Sequence, residues 1–522
     1  MKKILCLALA VLMLVGVMCG CGGSGDDGGN VNLVWALPLA AQSDTEMVLE
    51  NVNKLLGEKL PNTTIELLLD SSMGSKWSLW MAGKKPIDIA SSGYVNDLAS
   101  EIGKKSYLEL NDLIDEYAPT IKAEWEKYDM DYATGMVNGK LYAIPDLQIH
   151  INDEMFFQVP EYYYEHLDVK ALQKAVKENL TTTEVFYTII EDYLAKASKD
   201  PQANNAGLIS YVEHFFRCFV KRGYEFVGGT KSLFCYRKDD PTCKIVNFYE
   251  TEEFLTYIKY AAKWYAEGYI SKDILTGEDG IGDRDALFAA NQTNFRKIDK
   301  NEDGILTPEE STVKGGKKAT EYRISLTTKD QKYVGSSVLG SLSVYISIPT
   351  TSKNPERAIK LLELLRSDDG KDILNMLVYG IEGKHYEKIG DNIIDAFEYG
   401  GQATSSNSYG IPNWIMGNQL KMYICDPYTQ TTYDAAVEYY DVERPKFKKT
   451  ALFGYSFNND AVKNQVSQLS AVNDEFMLQL IGGTSTTEYM TTYNQMMEKL
   501  KAAGTEKVMA EYQKQVDEYI KK

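Results

Sequence analysis

Apolar and polar positions alternate along the chain in a way that predicts strands and helices in turn. Residues 31–37 and 65–69 are short apolar runs, as expected for buried strands, and a capping box at 43–46 opens a helix between them. A second helix at 76–82 leads to another apolar strand at 86–90. This β-α-β-α-β start predicts a parallel sheet with right-handed crossovers.

A second segment with clear periodicity begins near residue 344. An apolar strand at 344–348 runs into a polar turn, and Asn354 and Pro355 suit the N-cap and the first position of a helix. Within that helix apolar residues recur at i, i+3, i+4 and i+7, which gives one stripe for packing on a sheet or another helix. The tail predicts two more helices, one closed by Gly504 and one at 506–520.

The start of the chain predicts an exported protein. Two lysines precede an apolar run at 4–18, which is too short for a comfortable membrane span and is typical of a signal peptide. The run ends in Met18-Cys19-Gly20-Cys21, which resembles a bacterial lipobox. That resemblance implies that Cys21 becomes the lipidated N-terminus, whereas the other interpretation is ordinary secretion with Cys21 free. Residues 22–30 form a flexible polar tether.

Composition and motif content narrow the class of function. The chain has 522 residues, more than one ordinary core needs, and a formal net charge of −18. Nucleic-acid binding needs clustered Lys and Arg, so this charge argues against a nucleic-acid partner. The four histidines lack the spacing of a metalloprotease, and the sequence contains no GxSxG elbow or phosphate loop. We therefore expect no catalytic residues and no enzyme.

Longer stretches of the sequence resemble one known family. The segment after the strand at 344–348 reads SKNPERAIKLLELL and then YGIEGKHYEKIGDN, residues 138–145 read NGKLYAIP, and the tail contains MMEKLKAAGTEKVMAEYQKQVDEYI. These stretches resemble the extracellular solute-binding proteins of ABC importers, in particular the LipO-like lipoprotein subgroup. The resemblance implies an α/β, two-lobed, periplasmic-binding-protein-like (type II) fold with hinge crossings and a helical C-terminal region. It also implies a carbohydrate-type receptor that is a monomer, has an ABC permease as partner and is lipid-anchored on the extracellular face of the membrane.

The resemblance also predicts how the chain is divided. The predicted units are a lipoprotein signal peptide at 1–20, a tether at 21–30, lobe 1 at 31–150 and 280–342, lobe 2 at 151–279 and 343–455, and a C-terminal helical region at 456–522. Crossings between the lobes are expected near 145–150, 275–285 and 340–347.

Ligand-binding residues are expected where strands end. In open parallel sheets ligands sit beyond the carboxyl ends of the strands. Aromatic rings there can stack on the flat C–H faces of sugars, while amides and hydroxyls bind the sugar hydroxyls. The predicted ligand-binding residues are Trp35, Ser91, Ser92, Tyr94, Tyr142, Gln148, Trp414 and Asn418. For Trp35 and Trp414, cleft and core are equally supported.

Other functions stay open on the sequence alone. The ligand of such a receptor could be a peptide or another polar solute instead of a carbohydrate. A different class is a surface glycan-binding protein or a glycoside hydrolase, which the appearance of cleavage products from oligosaccharides would identify.

Residues 299–310 match the twelve-residue EF-hand calcium loop. Oxygen ligands fall at positions 1, 3 and 5, a glycine at position 6 allows the sharp turn, and a glutamate stands at position 12. The predicted ligands are Asp299, Asn301, Asp303, Ile305 through its carbonyl, Thr307 and Glu310. The sequence therefore predicts calcium as a cofactor, in a single stabilising loop of lobe 1. The alternative is an acidic turn in which Thr307 and Glu310 cap a short helix.

Two cysteines flank a hairpin-like turn. Cys235 and Cys243 enclose the sequence YRKDDPT, with strand-forming residues on both sides. They could face each other across a ladder and form a disulfide, or remain separate thiols, and the spacing does not choose between the two.

Overall fold

A computed structural model gives the structure of the chain. The described residues are 29–96, 98–137, 139–147, 150–151, 156–178, 180, 182–200, 209, 212–216, 220–221, 223–227, 232–272, 274–276, 288–290, 293–294, 305–313, 317–325, 333–334, 344–396, 408–425, 430–443, 448–453, 455 and 457–521. The signal peptide, Cys21 and most of the tether lie outside these ranges.

Short strands are distributed along the whole chain. The strands are β1 Val31–Leu37, β2 Thr63–Leu69, β3 Ile89–Gly93, β4 Met136–Val137, β5 Lys140–Leu141, β6 Ile144–Pro145, β7 His150–Ile151, β8 Phe156–Pro160, β9 Tyr224–Phe226, β10 Phe234–Arg237, β11 Val246–Asn247, β12 Phe288–Ala290, β13 Thr293–Asn294, β14 Ile305–Val313, β15 Lys317–Ser325, β16 Tyr333–Val334, β17 Val344–Ser347, β18 Tyr386–Lys388, β19 Ile393–Ala396, β20 Ile424–Cys425 and β21 Lys448–Lys449.

Helices fill most of the remaining described chain. The α-helices are α1 Thr45–Lys59, α2 Met73–Ala82, α3 Leu98–Gly103, α4 Asn111–Tyr117, α5 Pro119–Lys127, α6 Asp129–Tyr132, α7 Glu161–Tyr164, α8 Val169–Lys177, α9 Glu184–Ala197, α10 Val212–Phe215, α11 Glu252–Ala266, α12 Pro355–Arg366, α13 Lys371–Tyr379, α14 Gln430–Glu438, α15 Lys463–Ile481, α16 Tyr489–Ala503 and α17 Thr505–Ile520. The predicted α/β class is confirmed. Among the described helices, none combines the length and apolar character needed to cross a bilayer.

A five-stranded sheet organises the first half of the fold. Its strand order is β2-β1-β3-β17-β6. Strands β1, β2 and β3 are parallel, as the β-α-β-α-β pattern predicts, and β17 runs antiparallel to both β3 and β6. Residues of β1 alternate between its two faces: Leu33, Trp35 and Leu37 belong to one core cluster, and Ala36 belongs to a smaller cluster on the other face.

The apolar core around this sheet contains residues from two separated stretches of chain. Its buried members lie between Leu33 and Leu147 and between Val344 and Tyr440. Helices α12 and α13 bury their apolar stripes in this core, which we call body 1. The prediction that assigns 343–455 to lobe 2 is therefore wrong for residues 344–440. The physical reason is the strand β17, which pairs between β3 and β6 and so carries the following helices into body 1.

A second core, body 2, is also built from two stretches. Its buried members lie between Val159 and Ile274 and between Leu452 and Val516, with many Phe, Tyr and Trp side chains among them. A four-stranded sheet of order β12-β8-β15-β14 adjoins it, and Tyr322 of β15 stacks on Tyr164 at a ring-centroid distance of 4.0 Å. The prediction that assigns 280–342 to lobe 1 is therefore wrong for the described strands β12, β14 and β15, because β12 and β15 pair with β8 and β14 pairs with β15.

The chain passes between the two cores three times. It leaves body 1 after Leu147, returns at Val344, and leaves again between Tyr440 and Leu452. Strands β16 and β21, which lie on the second and third passages, pair in parallel. The positions near 145–150 and 340–347 agree with the predicted crossings, whereas the expected crossing near 275–285 is replaced by the one after Tyr440.

The C-terminal helices follow the predicted pattern. Helix α16 ends at Gly504, whose φ of 98° is in the left-handed region that favours glycine at a helix end. Helix α17 then continues to Ile520. Both helices bury residues in the core of body 2, so the predicted separate C-terminal region is part of that body.

The two cysteines of the predicted hairpin do not face each other. Cys235 lies on β10 opposite Phe226 of β9 and Val246 of β11, while Cys243 lies in the turn that follows Asp240 with a φ of 49°. Both are buried free thiols. The structure therefore contains separate thiols, because the turn places Cys243 outside the ladder.

Candidate functional site

One edge of the five-stranded sheet is the natural place for a ligand. The carboxyl ends of β1, β2, β3 and β6 and the start of β17 all lie at this edge, since Val344 is opposite Gly93 and Tyr345 is opposite Pro145. The first passage to body 2 leaves from this edge and the second returns to it. We call it the exit edge.

Two predicted ligand-binding aromatics meet at the exit edge. Tyr94 directly follows β3 at Gly93, whose φ of 85° turns the chain, and its side chain is 44% exposed. Half-buried Trp414 lies in a 3-10 turn at Asn413–Ile415, and its ring centroid is 5.1 Å from that of Tyr94 in an edge-to-face arrangement. Partial burial, with a smaller contribution from the charge of Asp146, raises the pKa of Tyr94 to about 12, so its hydroxyl stays protonated at neutral pH. The pair therefore offers ring surface and a hydroxyl to a ligand.

Hydrogen bonds join the segment that carries Trp414 to the loop after β1. Gln42 donates to the carbonyl of Gly410 at 2.7 Å and accepts from its N–H at 3.0 Å. Asp44 accepts a hydrogen bond from Ser408 and forms an ion pair with Lys384 at 2.8 Å. These two contacts, Lys384 first, hold the pKa of Asp44 well below its usual range. They position the Trp414 segment over the exit edge.

His385 contributes to the same set of contacts around Asp44, and its surroundings are not those of a catalytic base. It is buried, its Nδ1 accepts the N–H of Ile381 at 2.9 Å, and its Nε2 lies 3.2 Å from Asp44. Both ring nitrogens are therefore engaged in structural hydrogen bonds. His385 is therefore a hydrogen-bonded structural residue.

A buried polar network lies behind the aromatic pair. Arg366, only 2% exposed, donates to Glu124 at 2.6 Å and to the carbonyl of Pro145 at 2.8 Å. Asn418 donates to the other oxygen of Glu124 at 2.7 Å, and Tyr132 donates to Glu124 at 3.2 Å. The network joins helices α5 and α12 to the end of β6, where the first passage begins.

The remaining predicted ligand-binding residues are mostly structural. Trp35 has no exposed surface and packs in the core of body 1, which favours the core interpretation of the two that the sequence left open. Ser91 and Ser92 are fully buried, and Ser92 bonds to Ser347 at 2.8 Å. Tyr142 is half-buried beside the small cluster on the other face of the sheet.

Asn418 and Gln148 are the last two predicted ligand-binding residues. Asn418 is buried and engaged with Glu124. Gln148 lies outside the described residues. Of the predicted residues, the structure brings Tyr94 and Trp414 together. Asp146, a carboxylate that the sequence also offers as a partner for sugar hydroxyls, directly follows β6 at the same edge.

The predicted calcium loop is described only in part. Asp299, Asn301 and Asp303 lie outside the described residues, whereas Ile305, Thr307 and Glu310 have described backbone in β14. The pairing of β14 with β15 is interrupted between Leu306 and Glu309, and Glu310 lies opposite Thr320. The second half of the loop therefore enters a strand, and the short helix of the alternative interpretation is replaced by that strand.

One cluster among the described residues could offer three ligand atoms to a metal ion. The side chains of Glu165, His166 and Asp200 have such atoms within 4.8 Å of one another, and His166 Nε2 is 3.0 Å from Asp200. An imidazole nitrogen is a poor ligand for calcium, which prefers oxygen. This cluster therefore gives no support to the predicted calcium site.

Comparison with known proteins finds a full-length relative. A curated carbohydrate ABC transporter substrate-binding protein of Streptococcus pneumoniae serotype 4 is 25% identical over 545 residues, which covers 100% of this chain and 99% of that protein. The chain is therefore a full-length homologue of an ABC-transporter substrate-binding protein, and the expected resemblance is confirmed. Such substrate-binding proteins are transport components and are non-enzymatic, in agreement with the prediction of no enzyme.

Solved structures agree with this assignment at the level of the fold. The N-glycan transport solute-binding protein NgtS of Streptococcus pneumoniae matches with a TM-score of 0.69 at 22% identity, covering 94% of this chain and 99% of that one. The alginate-binding protein AlgQ2, solved without calcium ion, matches with a TM-score of 0.52 at 17% identity over 94% and 98% of the two chains. A family model, a domain of unknown function called DUF3502, matches residues 451–521 of this solute-binding homologue.

Proposed function

We propose that the protein is the extracytoplasmic substrate-binding component of an ABC importer and that it binds a carbohydrate at the exit edge, between body 1 and body 2. The observation that carries the proposal is the aromatic pair of Tyr94 and Trp414. The full-length relative is named as a carbohydrate receptor, and NgtS has been solved with Man1GlcNAc and with Man5GlcNAc. Oligosaccharides of mannose and N-acetylglucosamine are therefore the first ligands to test.

The chemistry of the pair suits a sugar. An edge-to-face arrangement presents the face of one ring and the edge of the other, and the flat C–H face of a pyranose packs well on such a surface. The protonated hydroxyl of Tyr94 can donate to or accept from a sugar hydroxyl. Because these residues belong to body 1 alone, tight binding requires further contacts from body 2.

Closure of the two bodies is the proposed mechanism. Each body has its own core, and three passages connect them. A ligand that contacts both bodies stabilises the closed arrangement in proportion to the contacts it makes only there. The closed form would then be the form that the permease recognises, and small-angle scattering should show a smaller radius of gyration with saturating ligand.

Two further features complete the proposal. Cys21 carries the lipid that anchors the mature protein on the outer face of the membrane, and Cys21→Ala should abolish its membrane fractionation. The loop at 299–310 binds calcium as a stabilising ion. The protein acts as a monomer in this scheme.

Substitution of Trp414 tests the location of the site. Trp414→Ala should weaken binding of Man5GlcNAc by about 1–3 kcal/mol, the scale of one aromatic contact, which is a rise in Kd of roughly fivefold to 150-fold. Isothermal titration calorimetry gives the Kd, and a melting curve shows whether the fold is intact.

A matched control is available in the same body. Trp125 is also half-buried in body 1, but it belongs to helix α5 and its ring stacks on Tyr132 instead of on Tyr94. Trp125→Ala should lower the melting temperature and leave the Kd unchanged. Equal affinity of wild type and Trp414→Ala would move the site elsewhere, and failure of the wild type to bind any glycan of a broad panel, with binding of peptides instead, would replace the carbohydrate assignment.

A further inference from the structure

Two buried aspartates of body 1 differ in their hydrogen bonding. Asp88, at the edge opposite the exit edge, accepts from the N–H of Val34 at 3.1 Å, from Ser352 at 2.6 Å and from Asn354 at 3.4 Å. Its carboxylate is therefore a saturated structural group. Asp146, at the exit edge, is the contrasting case.

The side chain of Asp146 has no exposed surface, yet neither carboxylate oxygen is in hydrogen-bonding geometry with a donor in the described part of the chain. Arg366 Nη2 lies 3.8 Å from Oδ1 and instead donates to the carbonyl of Pro145, while Nη1 donates to Glu124. The N–H of Gly417 lies near the Asp146 carboxylate but outside hydrogen-bonding geometry. A buried carboxylate can accept about four hydrogen bonds, and leaving them unmade is unfavourable.

The place of Asp146 in the fold points to a ligand. Its backbone N–H donates to the carbonyl of Val344 at 2.9 Å, so it stands where the first passage leaves body 1 and the second returns. Its charge acts on Tyr94, which raises the pKa of that phenol further above its ordinary value. Burial in turn raises the pKa of Asp146 well above the usual range, against the opposing effects of Arg366 and the N–H of Gly417.

We propose that Asp146 is the polar anchor of the carbohydrate site, where its carboxylate accepts hydrogen bonds from two adjacent hydroxyl groups of a neutral sugar that packs on Tyr94 and Trp414. This inference rests on the proposed function and adds a residue and a ligand class to it. Hydroxyl groups supply the donors that the described residues do not, whereas the carboxylate of a uronic acid at this position would be repelled by the ionised Asp146. The site therefore selects neutral sugars over acidic ones.

The proposal predicts opposite effects on stability and binding. In Asp146→Asn the shape is kept and the buried group can no longer ionise, so the melting temperature should stay the same or rise. The Kd for Man5GlcNAc should rise by about tenfold to a hundredfold, the scale of hydrogen bonds to a charged group. Asp88→Asn is the matched control: the same substitution at a saturated aspartate should lower the melting temperature and leave the Kd unchanged.

A second measurement needs no variant. Hydroxyl donors favour the ionised carboxylate, so binding should release a proton, and wild-type affinity should increase as the pH rises through the pKa of Asp146 in the free protein. The titratable and charged groups that face Asp146 from the neighbouring elements are Arg366 of α12, Glu124 of α5, Tyr132 of α6 and Tyr94 after β3. The pH dependence should disappear in Asp146→Asn and persist in Asp88→Asn.

Calorimetry with Man5GlcNAc and with a mannuronic acid trisaccharide distinguishes the outcomes. We expect the wild type to bind the neutral glycan in preference to the acidic one. Unchanged affinity in Asp146→Asn, a loss of stability as large as that of Asp88→Asn, or wild-type preference for the trisaccharide would overturn the role of Asp146. Absence of binding to every member of a glycan panel would instead overturn the proposed function, and this inference with it.

Discussion

Arg366 gives the sharpest test of how the body 1 core is held together. It is buried and donates to one carboxylate, that of Glu124 at 2.6 Å, and to one backbone carbonyl, that of Pro145 at 2.8 Å. Arg366→Met keeps most of the volume of the side chain and removes the charge. Glu124 would keep its hydrogen bonds from Asn418 and Tyr132, so the variant leaves a partly satisfied buried charge.

The cost follows from these contacts. Breaking a buried ion pair by removing one partner costs about 3–5 kcal/mol, and the remaining donors to Glu124 place this case near the lower value. The unpaired carbonyl of Pro145 adds about 1 kcal/mol, for a total of about 4 kcal/mol. In a body of roughly 200 residues, 1 kcal/mol moves the melting temperature by about 2–4 °C, so a fall of about 8–16 °C is expected.

Differential scanning calorimetry is the assay, because two separate cores should unfold in two transitions. The transition of body 1 should move and that of body 2 should serve as an internal reference. Arg357 is the control on the same helix: it is also buried, and it donates to the carbonyl of Pro61 and to the hydroxyl of Thr63, which are both neutral. Loss of these two hydrogen bonds costs about 1 kcal/mol each, so Arg357→Met should cost about half as much as Arg366→Met. Equal shifts for the two variants would show that the Arg366–Glu124 pair carries no special stabilisation.

Two further predictions concern pH and calcium. Asp44→Asn should destabilise the protein at neutral pH, because the native contacts with Lys384 and Ser408 depress the pKa of Asp44. The urea midpoints of wild type and variant should differ fully at pH values above 3.8, the pKa of Asp44 in the unfolded chain. The difference should shrink as the pH falls below about 4. An equal difference at pH 3 and pH 7 would count against the depressed pKa. Calcium at about 1 mM should stabilise the wild type by roughly 1.4 kcal/mol if Kd is about 0.1 mM, and Glu310→Gln should remove most of that shift; melting curves that are identical in calcium and in chelator would leave residues 299–310 as an acidic turn.

Local elements of this fold are readable from the sequence because their signals are local. Pro355 begins α12, as its fixed φ and missing N–H suggest, and Gly504 ends α16 with a positive φ. Asn354 stands at the predicted N-cap, but its side chain is directed to Asp88 instead of the helix N–H groups. The sequence therefore predicts where a helix begins and ends, but it does not predict the hydrogen-bond partner of a polar side chain.

The division into bodies depends on long-range pairing, which has no local signal. The apolar stripe of α12 would fit any apolar surface, and only the insertion of β17 between β3 and β6 decides that it packs in body 1. The same holds for the site. Trp35 alternates correctly for a strand, but the sequence does not show that core clusters cover both faces of β1 and so bury it. Among the described residues no donor is in hydrogen-bonding geometry with the Asp146 carboxylate, because Arg366, 220 positions later, binds Glu124 and Pro145 instead.

The third passage of the chain places the C-terminal helices in body 2. Residues 451–521 match one family model, yet they complete a core whose other half lies between Val159 and Ile274. Tyr257 donates to the carbonyl of Ile481 at 2.9 Å, and the N–H of Ile245 donates to Gln513 at 2.7 Å. With two passages the chain would end in body 1, and body 2 would lack these helices. The third passage therefore gives body 2 the apolar surface it needs, and its strand β21 pairs with β16 of the second passage. Because this pairing joins the second and third passages, a relative motion of the two bodies would move both passages together.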